Sequence, residues 1–152
     1  MADVWSKLNL KDQDEIVVVN APASFEPDIK ALDGITVKRK PADAKPIAFF
    51  LAFVTKKKEV DDLAKTVAKK CLPDAVVWFA YPKATSKKYT SEIARDTGNE
   101  ALGDAGFEPV RMVAIDDDWT AMRVRRVEFI KNLTRPESFA LSKEGKKRTA
   151  RR

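Results

Sequence analysis

Three uninterrupted apolar runs limit what this chain can fold into more than any other feature of its sequence. They are Glu15-Ile-Val-Val-Val-Asn20, Ile47-Ala-Phe-Phe-Leu-Ala-Phe-Val54 and Ala75-Val-Val-Trp-Phe-Ala-Tyr81. Each is too short for a buried helix and lacks the in–out alternation of a strand with one wet face. Each therefore predicts a strand covered on both sides, the situation of the inner strands of a parallel sheet. Between the second and third runs, Val60, Leu63, Ala64, Val67 and Cys71 recur at helical spacing and make one apolar stripe. Lys57 with Asp61, and Lys58 with Asp62, stand four apart on its wet side. Pro73 is expected to stop this helix.

Shorter elements fill in the order. Ala21-Pro22-Ala23-Ser24 breaks the first strand, and Ser24 is expected to cap a short helix through Leu32. Gly34 precedes a second strand, Ile35–Lys38. A second amphipathic helix is expected over Ser91–Ala105, where Ala94, Thr97, Ala101 and Ala105 form a small-residue face and Gly106 makes the stop. Strands Val110–Ile115 and Thr120–Phe129 flank Asp116-Asp117-Asp118-Trp119 as a hairpin. The order β-α-β-β-α-β-α-β-β predicts an α/β fold: a doubly wound three-layer sandwich whose mostly parallel sheet, about six strands, ends in an antiparallel hairpin.

Composition removes whole classes of chemistry. The chain has no histidine and a single cysteine, Cys71. Ser-His-Asp and Cys-His catalysis, zinc proteases and zinc deaminases are excluded, as is any internal disulfide. No metal site is predicted: Asp116-Asp117-Asp118 sits on a tight turn, where consecutive side chains diverge and Asp serves the turn itself. Cys71 lies on the helix stripe and is expected to pack as a small hydrophobe, and Trp119 to anchor the hairpin. The N-terminus shows no basic segment followed by an apolar run, and no stretch approaches the ~20 apolar residues of a membrane span, which predicts a cytoplasmic protein.

Charge divides the chain into a domain over 1–135 and a tail over 136–152. The tail holds six basic residues, Lys143, Lys146, Lys147, Arg148, Arg151 and Arg152, against Glu137 and Glu144, and so carries +4 of the net +6. It is too polar to fold alone and is expected to be disordered. One reading gives it nonspecific contact with nucleic acid or an acidic partner; the other makes it a solubilising end. No exposed apolar stripe predicts an oligomer.

A closing hairpin after parallel strands resembles the class I, Rossmann-like methyltransferase fold. The segment Ala68-Lys-Lys-Cys-Leu-Pro-Asp-Ala-Val-Val-Trp-Phe-Ala-Tyr-Pro-Lys83 is similar to its helix-loop-strand unit. More narrowly, Tyr81-Pro82-Lys83, Arg95-Asp96-Thr97 and Ala114-Ile115-Asp116-Asp117-Asp118-Trp119-Thr120-Ala121 resemble a bacterial family of short proteins with a domain of unknown function, over about residues 12 to 127. That resemblance implies a fold and lends no activity. The methyltransferase likeness implies a cofactor site that these residues do not furnish. The first strand ends Asn20-Ala21-Pro22-Ala23-Ser24-Phe25 without glycine, and the second ends Lys38-Arg39-Lys40 where an acidic residue for ribose hydroxyls belongs. The sequence thus points away from S-adenosylmethionine and towards a degenerate, non-catalytic version of the fold.

In open α/β sheets, ligands bind beyond the carboxyl ends of the strands. Asn20, Thr55 and Tyr81-Pro82-Lys83 fall at such ends, and a cationic loop with Lys83, Lys87 and Lys88 leads into the expected helix near Thr90-Ser91. The predicted ligand is a small anionic or nucleotide-like molecule held by Asn20, Lys83, Ser86, Lys87 and Arg95. A solvated loop whose lysines only aid solubility is the plainer reading. Arg95 and Asp96, adjacent on a helix, point about 100° apart, so at most one of them faces the crevice. Two alternatives stand beside the binding reading: a methyl-transferring enzyme with an atypical pocket, and a nucleic-acid-associated protein acting through the basic tail.

Overall fold

The computed structural model describes residues 4–11, 13–40, 46–93 and 100–126, the side chains at 73 and 74 excepted. In chain order the elements are α1 (Val4–Lys7), β1 (Glu15–Val19), a 3-10 turn (Ala23–Phe25), α2 (Glu26–Lys30), β2 (Thr36–Lys38), β3 (Ile47–Phe53), α3 (Lys57–Lys70), β4 (Cys71–Pro82), α4 (Glu100–Asp104), β5 (Phe107–Ala114) and β6 (Trp119–Arg126). Six strands form one sheet in the order β2-β1-β3-β4-β6-β5. The first four pair in parallel, and β6 runs antiparallel to both β4 and β5. Five strands therefore share a direction and one opposes them, as the sequence predicts.

Alternation along the inner strands sends side chains into two cores. Phe50 and Ala52 of β3, Val77 and Phe79 of β4, and Met122 and Val124 of β6 face the side covered by α3 and α4. Phe49, Leu51 and Phe53, Val76 and Trp78, and Ala121 face the side covered by α1, the 3-10 turn and α2. Val60, Ala64 and Val67 are the buried positions of α3, the heart of its predicted stripe.

The short α1, which the sequence pattern does not reveal, is held by its neighbours and not by its own propensity. Trp78 Nε1 donates to the Leu8 carbonyl at 2.7 Å in the buried second core, and Trp5 Nε1 donates to the Asp28 carbonyl at 2.9 Å. A one-turn helix has no stability of its own. Trp5 and Leu8 bury themselves against Phe25 and Phe49, and the two indole bonds set the angle.

Several local expectations are corrected. Ser24 lies inside the 3-10 turn and makes no capping bond; Pro22 and Phe25 occupy the cap positions, and Pro27 sits in the first turn of α2 with its φ already helical. α3 ends at Lys70, not at Pro73, so Cys71 is the first residue of β4, where it pairs with Ile47 and stays buried. Pro73 falls where the β3–β4 register shifts between Cys71 and Val76, a place that needs no ladder N–H. Of the second expected helix, residues 91–93 are not helical, 94–99 lie outside the described residues, and α4 covers Glu100–Asp104. Gly106 does make the stop, at φ +92°. Lys57 pairs with Asp61 at 3.0 Å, whereas Lys58 and Asp62 form no ion pair. The tail over 136–152 lies outside the described residues, and no described helix is long and apolar enough to cross a membrane.

Both sheet edges are blunted. β2 is three residues long and ends in a lysine, and β5 carries Pro109 beside a register shift. Replacing Trp78 with Phe removes the donor to the Leu8 carbonyl and leaves that acceptor buried. The expected cost is about 1–3 kcal/mol, read as a lower urea midpoint with an unchanged slope and earlier proteolysis near α1.

Candidate functional site

Strand order fixes where a ligand crevice belongs. From β1 the chain crosses to β2 on one side and then returns to β3 on the other, so the sheet's switch point lies between the ends of β1 and β3. Asn20 ends β1 in the left-handed region at φ +59°, which Asn tolerates better than most residues. Thr55 and Lys56 lead from β3 into α3, whose first-turn N–H groups face the same crevice.

The chain's own carboxylates occupy this position. Glu59 Oε1 accepts from the backbone N–H of Thr55 at 2.9 Å and of Lys56 at 3.1 Å, and from Thr55 Oγ1 at 3.3 Å. Its other oxygen accepts from Asn20 Nδ2 at 3.4 Å. Glu92, reaching in from the loop after β4, accepts from the Lys57 N–H at 2.9 Å, while its own N–H donates to the Thr55 carbonyl at 2.8 Å. Anions stabilise a helix N-terminus through its exposed N–H groups and dipole, and here two internal carboxylates supply them. An incoming carboxylate or phosphate at this point competes with Glu59 and Glu92.

Open space lies one strand further along. Above the end of β4 is a cavity of about 580 Å³ lined by Tyr81, Lys83, Ser86, Tyr89, Ser91, Ile93 and Thr120, among others. Its outer wall, the loop 83–93, is tied down at several points. Lys83 N–H donates to the Asp118 carbonyl at 2.8 Å, and Ser86 Oγ donates to Asp118 Oδ1 at 2.9 Å while accepting from the N–H of Tyr89 at 3.2 Å. Ser91 Oγ bonds both the N–H and the carbonyl of Ile93. The Tyr89 ring packs 5.0 Å from Trp119, whose indole also meets Phe53 at 5.1 Å, so Trp119 anchors the hairpin to the body. Asp116 Oδ1 accepts from the N–H groups of Asp118 and Trp119, which is turn chemistry.

The predicted site residues are therefore divided. Lys83 and Ser86 line the cavity, with Ser86 already engaged in holding the loop. Asn20 belongs to the switch point and contacts Glu59. Lys87 is exposed and outside the cavity lining, and Arg95, with Asp96, lies outside the described residues. Sequence reasoning misses Glu59 and Glu92. A capping-box pattern starts from a Ser, Thr, Asp or Asn cap, but the residue in that place is Lys56, so the reciprocal glutamate has no visible partner.

A second opening, about 600 Å³, runs between α3 and α4. Ala64, Ala68, Ala101 and Ala105 form its floor, lysines of α3 one wall, and Glu100 and Asp104 the other. Among the described residues no cluster of acidic or thiol groups is arranged to hold a metal. Cys71 sits at the opposite end of β4, 7% exposed, and burial pushes its thiol up to about 12.

Among the solved structures that share this architecture is a Sulfolobus solfataricus protein assigned provisionally to the type 11 methyltransferases. It superposes with a TM-score of 0.50 over 81% of this chain and 89% of its own, at 6% identity. That likeness establishes a methyltransferase-like α/β fold and nothing finer. No family model matches the sequence, and no curated protein does. The resemblance to a short bacterial family accordingly stands on its motif residues alone.

Two outcomes follow from these contacts. Glu59→Ala strips the cap from α3 and is expected to cost about 1–2 kcal/mol in urea unfolding, with Glu59→Gln, which keeps an acceptor, losing less. Cys71 sets a pH window: its folded thiol titrates near 12 against 9.0 for a free one. Its contribution is complete below pH 9. It falls as pH rises towards 12, because only the unfolded thiol then releases its proton. The difference in urea stability between the parent and Cys71→Ala should shrink across that range.

Proposed function

We propose that this chain is a non-catalytic binding domain for a small anionic, nucleotide-like ligand, held in the cavity above the end of β4. One observation carries the reading. Glu59 and Glu92 fill the switch point that a ligand of this fold class ordinarily uses, while open volume remains next to Lys83. Lys83 brings the positive charge, and Tyr81, Tyr89 and Ile93 an apolar wall of a kind suited to a planar ring. The absence of histidine removes imidazole base chemistry, and Cys71, the one cysteine, lies buried at the far end of β4 from this cavity.

A methyl-transferring enzyme with an atypical pocket is the competing reading, favoured by the shared fold. It requires the cofactor's amino-acid portion to displace Glu59 or to bind away from the β1 end. The bare fold does not decide between them, since function resides in the site.

Calorimetric titration of the full chain with adenosine monophosphate, adenosine triphosphate and S-adenosylhomocysteine separates the two. The binding reading expects heat with the nucleotides and about a fivefold to tenfold loss of affinity in Lys83→Ala, roughly 1–1.4 kcal/mol. Micromolar binding of S-adenosylhomocysteine, unaffected at Lys83, establishes the transferase reading in its place.

A further inference from the structure

Each parallel strand but one releases the chain into a basic segment. β2 ends on Lys38, followed by Arg39 and Lys40; β3 is followed by Lys56, Lys57 and Lys58; β4 by Lys83, Lys87 and Lys88. The strands are neighbours in the order β2-β1-β3-β4 and all run the same way, so these segments emerge along a single edge. Between them β1 contributes Asn20-Ala21-Pro22-Ala23-Ser24, which carries no charge.

Among the described residues, two of these cations are neutralised. Arg39 holds both oxygens of Glu26 at 2.8 Å, and Lys57 pairs with Asp61. Lys38, Lys40, Lys56, Lys58, Lys83, Lys87 and Lys88 make no ion pair among the described residues. Carboxylates that share the edge are turned to other uses: Glu59 and Glu92 to the start of α3, Asp118 to Ser86, and Asp116 to its own turn. The acidic turn 116–118 joins β5 to β6, beyond β4, so the edge is cationic from β2 to β4 and anionic past it.

Four adjacent strands span about 14 Å, three spacings of roughly 4.8 Å. A row of unpaired ammonium groups over that distance exceeds what one small anion can answer. Duplex nucleic acid carries one charge per about 1.7 Å, or about eight phosphates over the same length. Lysine meets phosphate as a point charge without the bidentate fork of arginine, so such a row positions a backbone and reads no bases. A lipid surface fits less well, because binding there also needs apolar side chains to insert. The exposed large hydrophobics, Leu72 and Met112, lie at the start of β4 and along β5, away from the lysines.

We propose that this edge of the folded body is a docking track for the phosphate backbone of nucleic acid, independent of base sequence and of the C-terminal tail. It goes beyond the cavity reading and does not depend on it.

The test uses fluorescence anisotropy of the full chain with labelled duplex DNA and single-stranded RNA, between about 50 and 200 mM salt. A variant with Lys38, Lys40, Lys56, Lys58 and Lys88 changed to Gln is compared with one in which Lys143, Lys146, Lys147, Arg148, Arg151 and Arg152 are changed to Gln. Lys83 is left intact, so nucleotide binding in the cavity is read separately. Both variants are checked for unchanged folding by their urea midpoints. The edge variant is expected to bind about tenfold or more weakly, with the slope of log affinity against log salt shallower by about 2 to 3, while the tail variant keeps that slope component. Unchanged affinity and slope in the edge variant overturn the proposal, as does complete loss of binding in the tail variant alone. Absence of binding by the parent at about 50 mM salt, or stronger binding to phosphatidylserine vesicles than to nucleic acid, overturns it as well.

Discussion

Phe49, Leu51 and Phe53 point to one side of β3 and Phe50 and Ala52 to the other, and none is more than 2% exposed. A strand in that position cannot tolerate water on either face, so helices must cover both sides of the sheet. The parallel direction of β1, β3 and β4 follows, since crossover connections through helices are what place cover on the two faces. The switch point between β1 and β3, and the clustering of functional-looking loops at one edge, are consequences of the same requirement. Even α1 belongs to it: Trp5 and Leu8 close the second core where α2, five residues long, leaves it uncovered.

This requirement is also why so much of the fold is legible from the chain. The doubly burying runs identify β1, β3 and β4 directly, and the stripe of Val60, Ala64 and Val67 identifies α3. Ends are less legible. Cys71 continues the helical stripe by spacing, yet the chain turns extended there because Cys71 can bury equally well against Ile47 as a strand residue. Ser24 has the right chemistry for a cap but loses the position to Pro22 and Pro27, whose fixed φ angles set the turn first. A one-turn helix such as α1 has no period to detect; only its tertiary hydrogen bonds define it.

The candidate site is legible in its place more than in its parts. Strand ends can be read from the apolar runs, and Asn20, Thr55 and Lys83 follow parallel strands at the same end of the sheet. What spacing cannot supply is which polar groups are already satisfied. Ser86 reads as a ligand-binding hydroxyl until Asp118, 32 positions away, is seen to hold it. Glu92 reads as a surface acid until it meets the Lys57 N–H from 35 positions away. Such long-range hydrogen bonds decide between a binding group and a structural one.

Those same hydrogen bonds explain the electrical character of the edge. A carboxylate at a helix N-terminus gains from the dipole and from the N–H groups it satisfies, and here Glu59 and Glu92 both take that opportunity. By turning inward they leave Lys56 and Lys58 without an ion pair among the described residues. Had either acid paired with Lys56 or Lys58, the first turn of α3 would have unmet donors and the edge would be closer to neutral. The fold satisfies its backbone first, and the positive surface is what remains once the acids have been drawn in. The closed switch point and the cationic edge are thus two results of one arrangement: the more completely internal carboxylates seal the small-ligand crevice, the more positive the exposed surface around it becomes.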